Sequence, residues 1–138
     1  MTETEWRSFI TEGTRTAKLA VVTPAGRPHV TPVWFVLDCD DVVFTTGETT
    51  REGKGLLHTG RASLCVDDET PPYAYVTLAG TVGIREDLGE MEKWATEIGA
   101  RYLGADRAQE YGRRTAAAPE LLVRLTPTKV VGRAGVAD

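Results

Sequence analysis

Apolar positions along this chain change period several times, and each change marks an element. Trp6, Phe9 and Ile10 recur at helical intervals behind Thr2 and Glu5, which have capping-box spacing, so a short amphipathic helix is predicted to open the chain and plug one end of a barrel. Ala17 to Val22 is mostly apolar with β-branched content. It ends in Thr23-Pro24-Ala25-Gly26, where Pro presets a turn and Gly frees φ, so a hairpin follows. His29 to Leu37 alternates as one strand, with Val30, Pro32, Trp34 and Val36 on one face and Thr31, Val33, Phe35 and Leu37 on the other. Both faces carry large apolar groups, so both are expected to be covered. Pro32 has no N–H for a ladder, which implies an edge position or a bulge.

Asp38-Cys39-Asp40-Asp41 reads as a turn, and Val42 to Thr46 returns antiparallel, bringing Val33 to Phe35 near Phe44 to Thr46. A short helix over Arg51 to His58 stops at Gly60, and Ala62 to Val66 is a further strand. Three acids and two prolines make Asp67 to Pro72 a loop, and Tyr73 to Ile84 is a long strand whose Gly80 and Gly83 suit bending around a small barrel. Met91, Trp94, Ala95, Ile98, Tyr102 and Leu103 form one stripe of a helix over Asp87 to Leu103. A shorter helix runs from Asp106 through Tyr111. Leu121 to Leu125 and Thr128 to Val131 close the structure as separate strands around a kink at Pro127. The expected fold is mainly β with peripheral helices, about six strands closing on themselves.

Composition narrows the function. The 138 residues, 41% of them hydrophobic, support a single domain over residues 1–138. A net charge of −4 gives no global reason to expect nucleic acid or an anionic membrane as partner, so any anion site must be local. No apolar run approaches a membrane span of ~20 residues, and the N-terminus lacks a basic segment followed by an apolar one; a soluble, cytoplasmic protein is expected. Cys39 and Cys65 suit neither a disulfide framework nor a metal pair. There is no G-x-S-x-G and no H-E-x-x-H, while His29 starts a strand and His58 ends a helix, where each has a structural explanation. An enzyme of this composition would let a cofactor carry the chemistry.

One stretch could hold such a ligand. Phe44, Thr45 and Thr46 end a strand, Gly47 opens a polar loop, and Arg51 and Lys54 lie at the start of the helix after it. Hydroxyls, freed amides and a helix N-terminus suit a phosphate. Taken alone the stretch is more simply a solvated turn with two surface cations, because it has neither P-loop nor G-x-G-x-x-G spacing.

Longer segments carry more information. Gly26 to Phe35 (GRPHVTPVWF), Phe44 to Gly47 (FTTG), Arg61 to Glu69 (RASLCVDDE) with Pro71-Pro72-Tyr73, Trp94 to Thr96, Ala100 to Gly104 (ARYLG), Glu110 to Arg114 (EYGRR) and Thr126 to Val131 (TPTKVV) occur in this order. Together they resemble the pyridoxamine 5′-phosphate oxidase-like split β-barrel proteins, and within them the actinobacterial group built for the deazaflavin F420. The resemblance implies a split β-barrel, a homodimer with the cofactor at its interface, and a small-molecule substrate. It places the ring system on Val30, Thr31, Pro32, Val33 and Trp34, and the ribityl phosphate on Phe44, Thr45, Thr46, Arg51 and Lys54. Members of the family use FMN, F420 or haem. An F420-dependent reductase of enones, quinones or tetrapyrroles is therefore the first expectation. An FMN-dependent oxidase or flavin reductase, and a non-catalytic F420 carrier, are the alternatives. Arg15, Lys18, Arg27, Arg101, Arg113 and Arg114 are further cations that could meet the oligoglutamate tail of F420. One departure stands out: Glu52 occupies a position where the family pattern has lysine, and a carboxylate there repels a phosphate.

Overall fold

The computed structural model describes Met1–Asp138. Seven strands form one antiparallel sheet in the spatial order β2-β1-β5-β6-β7-β4-β3, curled into a half-barrel and accompanied by four helices. Helix α1 (Glu3–Thr11) starts at the capping box that Thr2 and Glu5 form, and it lays Trp6 and Ile10 into the core. Strands β1 (Ala17–Val22) and β2 (Pro28–Val33) make the first hairpin, in register from Ala17 opposite Val33 to Val22 opposite Pro28. β3 (Phe35–Asp38) and β4 (Asp41–Gly47) make the second, with Phe35 opposite Phe44. Helix α2 (Arg51–Thr59) follows, ending at Gly60, whose φ of 66° is the left-handed conformation that glycine adopts freely. β5 (Arg61–Asp68), β6 (Ala74–Arg85), helices α3 (Leu88–Leu103) and α4 (Ala105–Ala116), and β7 (Glu120–Arg133) complete the chain.

Several expectations change. Asp67 and Asp68, expected in a loop, extend β5 and pair with Tyr75 and Ala74. His29 to Leu37 is two strands rather than one: β2 pairs with β1 at one edge of the sheet, β3 pairs with β4 at the other, and Trp34 is the hinge between them. Alternation in sequence continues through this hinge, which is why it reads as a single strand. Conversely, Leu121 to Leu125 and Thr128 to Val131 belong to one strand. A shift of register opposite Ala79 and Gly80 absorbs one extra residue beside Pro127, so the chain bulges without leaving the ladder. Finally, α4 runs on to Ala116 instead of stopping at Tyr111, because Gly112 lets it lie against Thr96 and the Glu92 carbonyl of α3, where a Cβ would collide.

Pro32 does sit on an edge strand, where its missing N–H costs no ladder bond. The expectation that both faces of this segment are covered holds for β3 and the hinge, where Trp34 stacks on Tyr102 and Val36 packs against Val43, Met91 and Leu122, but for one face only along β2. Val33 and Phe35 join the main core with Leu19, Leu64, Leu78 and Val123, whereas Val30 is 63% exposed because no element crosses the outer side of β2. No helix is long and apolar enough to cross a membrane.

Candidate functional site

The end of β4 and the first turn of α2 meet closely. A Cβ at Gly53 would run into the Gly47 carbonyl, so only glycine allows the helix to start this near the strand. Thr50 caps the helix: its hydroxyl accepts from the Gly53 amide at 3.1 Å and donates to the Gly47 carbonyl at 2.7 Å. This geometry turns Glu52 inward. Its Oε2 lies 2.8 Å from Nε2 of His29 on β2, and its Oε1 accepts from the Thr46 hydroxyl at 3.5 Å.

The facing wall is aromatic. Trp34 stacks on Tyr102 of α3 with ring centroids 5.0 Å apart and lies 5.7 Å from the ring of Tyr111 on α4. Tyr102 is itself fixed, because its hydroxyl donates to the Arg15 carbonyl at 2.7 Å and accepts from the Phe35 amide at 3.3 Å. Beside it, the Arg101 guanidinium bonds the carbonyls of Ile10, Gly13, Arg15 and Phe35 and lies over the Phe35 ring. Helix α3 thereby clamps the hinge between β2 and β3.

Between these walls is a cleft of about 390 Å³, a size usual for a small-molecule site. β2 and the hinge contribute Thr31, Pro32, Val33 and Trp34; β4 contributes Thr45, Thr46 and Gly47; Glu52, Tyr111 and Glu120 come from α2, α4 and β7. No lysine or arginine borders it. The two carboxyls differ in charge preference. Burial raises the pKa of Glu52, but contacts with Thr50, His29 and its own amide outweigh burial and hold it below the usual range. For Glu120, burial and the nearby Glu52 charge outweigh a bond from Thr45 and push its pKa up. Burial likewise pushes the Tyr111 phenol up.

Of the residues singled out by sequence, Thr31, Pro32, Val33, Trp34, Thr45 and Thr46 border this one cleft. Val30 projects from the outer side of β2, and Phe44 is fully enclosed in the core, so neither side chain reaches it. Arg51 and Lys54 are exposed on the first turn of α2, outside the cleft. Among the further cations, Arg15 is paired with Glu12 and Asp68, Lys18 with Asp67, and Arg101 is spent on backbone carbonyls; Arg27, Arg113 and Arg114 are exposed. Tyr111 and Glu120 were not legible as site residues, since only the folded chain brings α4 and the start of β7 beside β4. A wider groove of about 560 Å³ crosses the other side of β1, β5 and β6 near Ala20, Ser63 and Ala79, and it contains none of the predicted residues.

Residues 2–133 match the pyridoxamine 5′-phosphate oxidase family. The chain belongs to that family. The split barrel of this family also describes several solved structures. The conserved hypothetical protein Rv2991 of Mycobacterium tuberculosis superposes with a TM-score of 0.86 at 22% identity, over 98% of this chain and 86% of that one. An F420 reductase does so at 0.70 and 23%, over 90% and 94%. HutZ, a haem storage protein of Vibrio cholerae, does so at 0.77 and 20%, over 99% and 98%. Identities this low show a shared fold. No curated protein matches the sequence.

For a member of this family, a flavin-type group is the ligand to test against the cleft. Val33, Trp34 and Tyr111 in the cleft's lining are of the kind a planar ring packs on, while the Thr45 and Thr46 hydroxyls, expected on the phosphate, bond Glu120 and Glu52. The group's phosphate does not fit inside, where two carboxyls and no cation would face it. The nearest cations in sequence, Arg51 and Lys54, are exposed on the first turn of α2 and do not border the cleft.

Proposed function

We propose that this family member is an F420-dependent reductase acting on an electron-poor small molecule of the enone, quinone or tetrapyrrole type. A reduced deazaflavin supplies hydride when bound. The protein's part is to hold the ring against Val33 and Trp34, to keep water from the reacting face, and to meet the phosphate and glutamate tail with the exposed cations Arg51 and Lys54 of the first α2 turn. The observation that carries this reading is the cleft lined by Trp34, Tyr111 and the threonines Thr31, Thr45 and Thr46, on a fold that an F420 reductase shares.

The reading includes a homodimer in the cytoplasm. The exposed apolar strip of Val22 and Val30, beside exposed Pro28 and Pro32 on an edge strand, is what a second copy would cover. The same cleft is open to FMN, and to a carrier role without turnover. Adding F420, FMN and haem separately to purified protein tests the first point. Turnover of reduced F420 with a panel of enones, quinones and tetrapyrroles tests the second. FMN bound more tightly than F420 at matched ionic strength would transfer the reading to the flavoprotein alternative.

A further inference from the structure

The first turn of α2 is where backbone amides of the cleft could converge on an anion, and the chain has occupied it with its own groups. The Gly53 amide is taken by the Thr50 hydroxyl and the Lys54 amide by the Thr50 carbonyl at 3.0 Å. The Glu52 carboxylate is held inward by His29 at 2.8 Å and Thr46 at 3.5 Å, with a side chain only 14% exposed. Glu120 faces the same space from β7, and no lysine or arginine borders it.

We infer that Glu52 is a built-in anion standing where a ligand's phosphate would meet the α2 N-terminus, so that the cleft selects a planar ring without using its phosphate. Admitting a phosphate there would require separating Glu52 from His29 and placing two anions together in a partly desolvated site, where their repulsion is screened far less than at the surface. Rotating Glu52 outward would leave His29 and Thr46 without their partner. A phosphate is therefore left to solvent and to exposed cations outside the lining such as Arg51 and Lys54, where solvent weakens each contact. This inference rests on the cleft being the ring site proposed above, but not on catalysis.

Riboflavin and FMN carry the same ring and differ only in the phosphate, so their affinities for the whole protein, measured by calorimetric titration, isolate the effect. Wild type is expected to bind the two within about threefold of each other, since an exposed ion contact contributes little. E52K should raise the affinity for FMN relative to riboflavin by about tenfold or more, because it replaces a repulsive charge with a charge-assisted donor, while any change in the lining itself acts on both ligands alike. E52Q preserves size and hydrogen bonding and should shift FMN the same way by less; thermal melts of both variants establish that they are folded. Wild type preferring FMN over riboflavin by more than about tenfold would overturn the inference. So would an unchanged FMN affinity relative to riboflavin in both variants, including the case in which none of the three proteins binds FMN. Failure of reduced F420 to turn over any substrate would remove the reductase reading and leave this selectivity ratio intact.

Discussion

Trp34 and Tyr102 stack with ring centroids 5.0 Å apart and planes inclined by only 5°, so the hinge that sends β2 and β3 to opposite sheet edges is fastened by a residue of α3. Trp34 also forms part of the cleft wall. Fold and site therefore share a contact. Trp34→Ala should cost about 3 kcal/mol in urea unfolding, from lost burial and ring contacts. A double-mutant cycle with Tyr102→Ala should return a coupling of about 0.5–1.5 kcal/mol. Additive single effects would show that the two rings touch without fastening the hinge.

Arg101 gives a sharper stability prediction. Its guanidinium reaches carbonyls on α1, the following loop and β3, a geometry that lysine's single ammonium cannot reproduce. Arg101→Lys should destabilise by about 2–4 kcal/mol, because several acceptors lose a charged donor. A denaturation midpoint within experimental error of wild type, with unchanged slope, would contradict this account.

The two cleft carboxyls predict opposite pH trends. Glu52 has a depressed pKa, so its stabilisation is present above the unfolded-state value and lost as pH falls through the lower folded value. Glu120 has a raised pKa: the folded state holds its proton more tightly than the unfolded chain does, so stability declines as pH climbs from the ordinary carboxyl range to the raised value. Glu120→Gln should remove that decline and be the more stable form above the window. Glu52→Gln should remove the acid-side loss. Melting curves across the carboxylate range separate the two, and parallel pH profiles for wild type and Glu120→Gln would refute the second assignment.

These residues also show where sequence reasoning reaches its limit. The α1 capping box, the first hairpin and the α3 stripe are legible because each is set by neighbours a few positions apart. The β2–β3 break is not, since Trp34 continues the alternation and leaves it only because α3 supplies a stacking partner 68 positions later. Six of the ten residues named for the ligand border one cleft, five of them on β2 and β4 and the sixth, Trp34, at the hinge. Phe44 went to the core because its side of β4 faces inward, and the inward turn of Glu52 depends on His29, a partner on another element.

The exposed strip on β1 and β2 predicts association. Val30 is 63% and Val22 48% exposed beside an unpaired strand edge, an arrangement that favours covering by a second copy. Sedimentation equilibrium should give a dimer at micromolar concentration, and Val30→Glu should shift it toward monomer while leaving the internal core unchanged. A wild-type monomer under these conditions would remove the dimer and any site shared between copies.

The last prediction concerns how cations read the cofactor. Before folding is considered, the chain offers several basic residues for a polyanionic tail, but Arg15, Lys18 and Arg101 are already engaged by Asp68, Asp67 and backbone carbonyls. Arg51 and Lys54 remain, both exposed on the first turn of α2, whose Glu52 borders the cleft. An exposed contact is worth about 0.2–1 kcal/mol, so Lys54→Ala should weaken F420 binding by no more than about fivefold, with no change in thermal stability. Loss of both cations should roughly compound the effect and reduce the salt dependence of affinity, because screening acts on the contacts that have been removed. If F420 affinity and its salt dependence survive the double substitution intact, Arg51 and Lys54 belong to a solvated turn, and the tail must be read by Arg27, Arg113 or Arg114 or by a second copy of the chain.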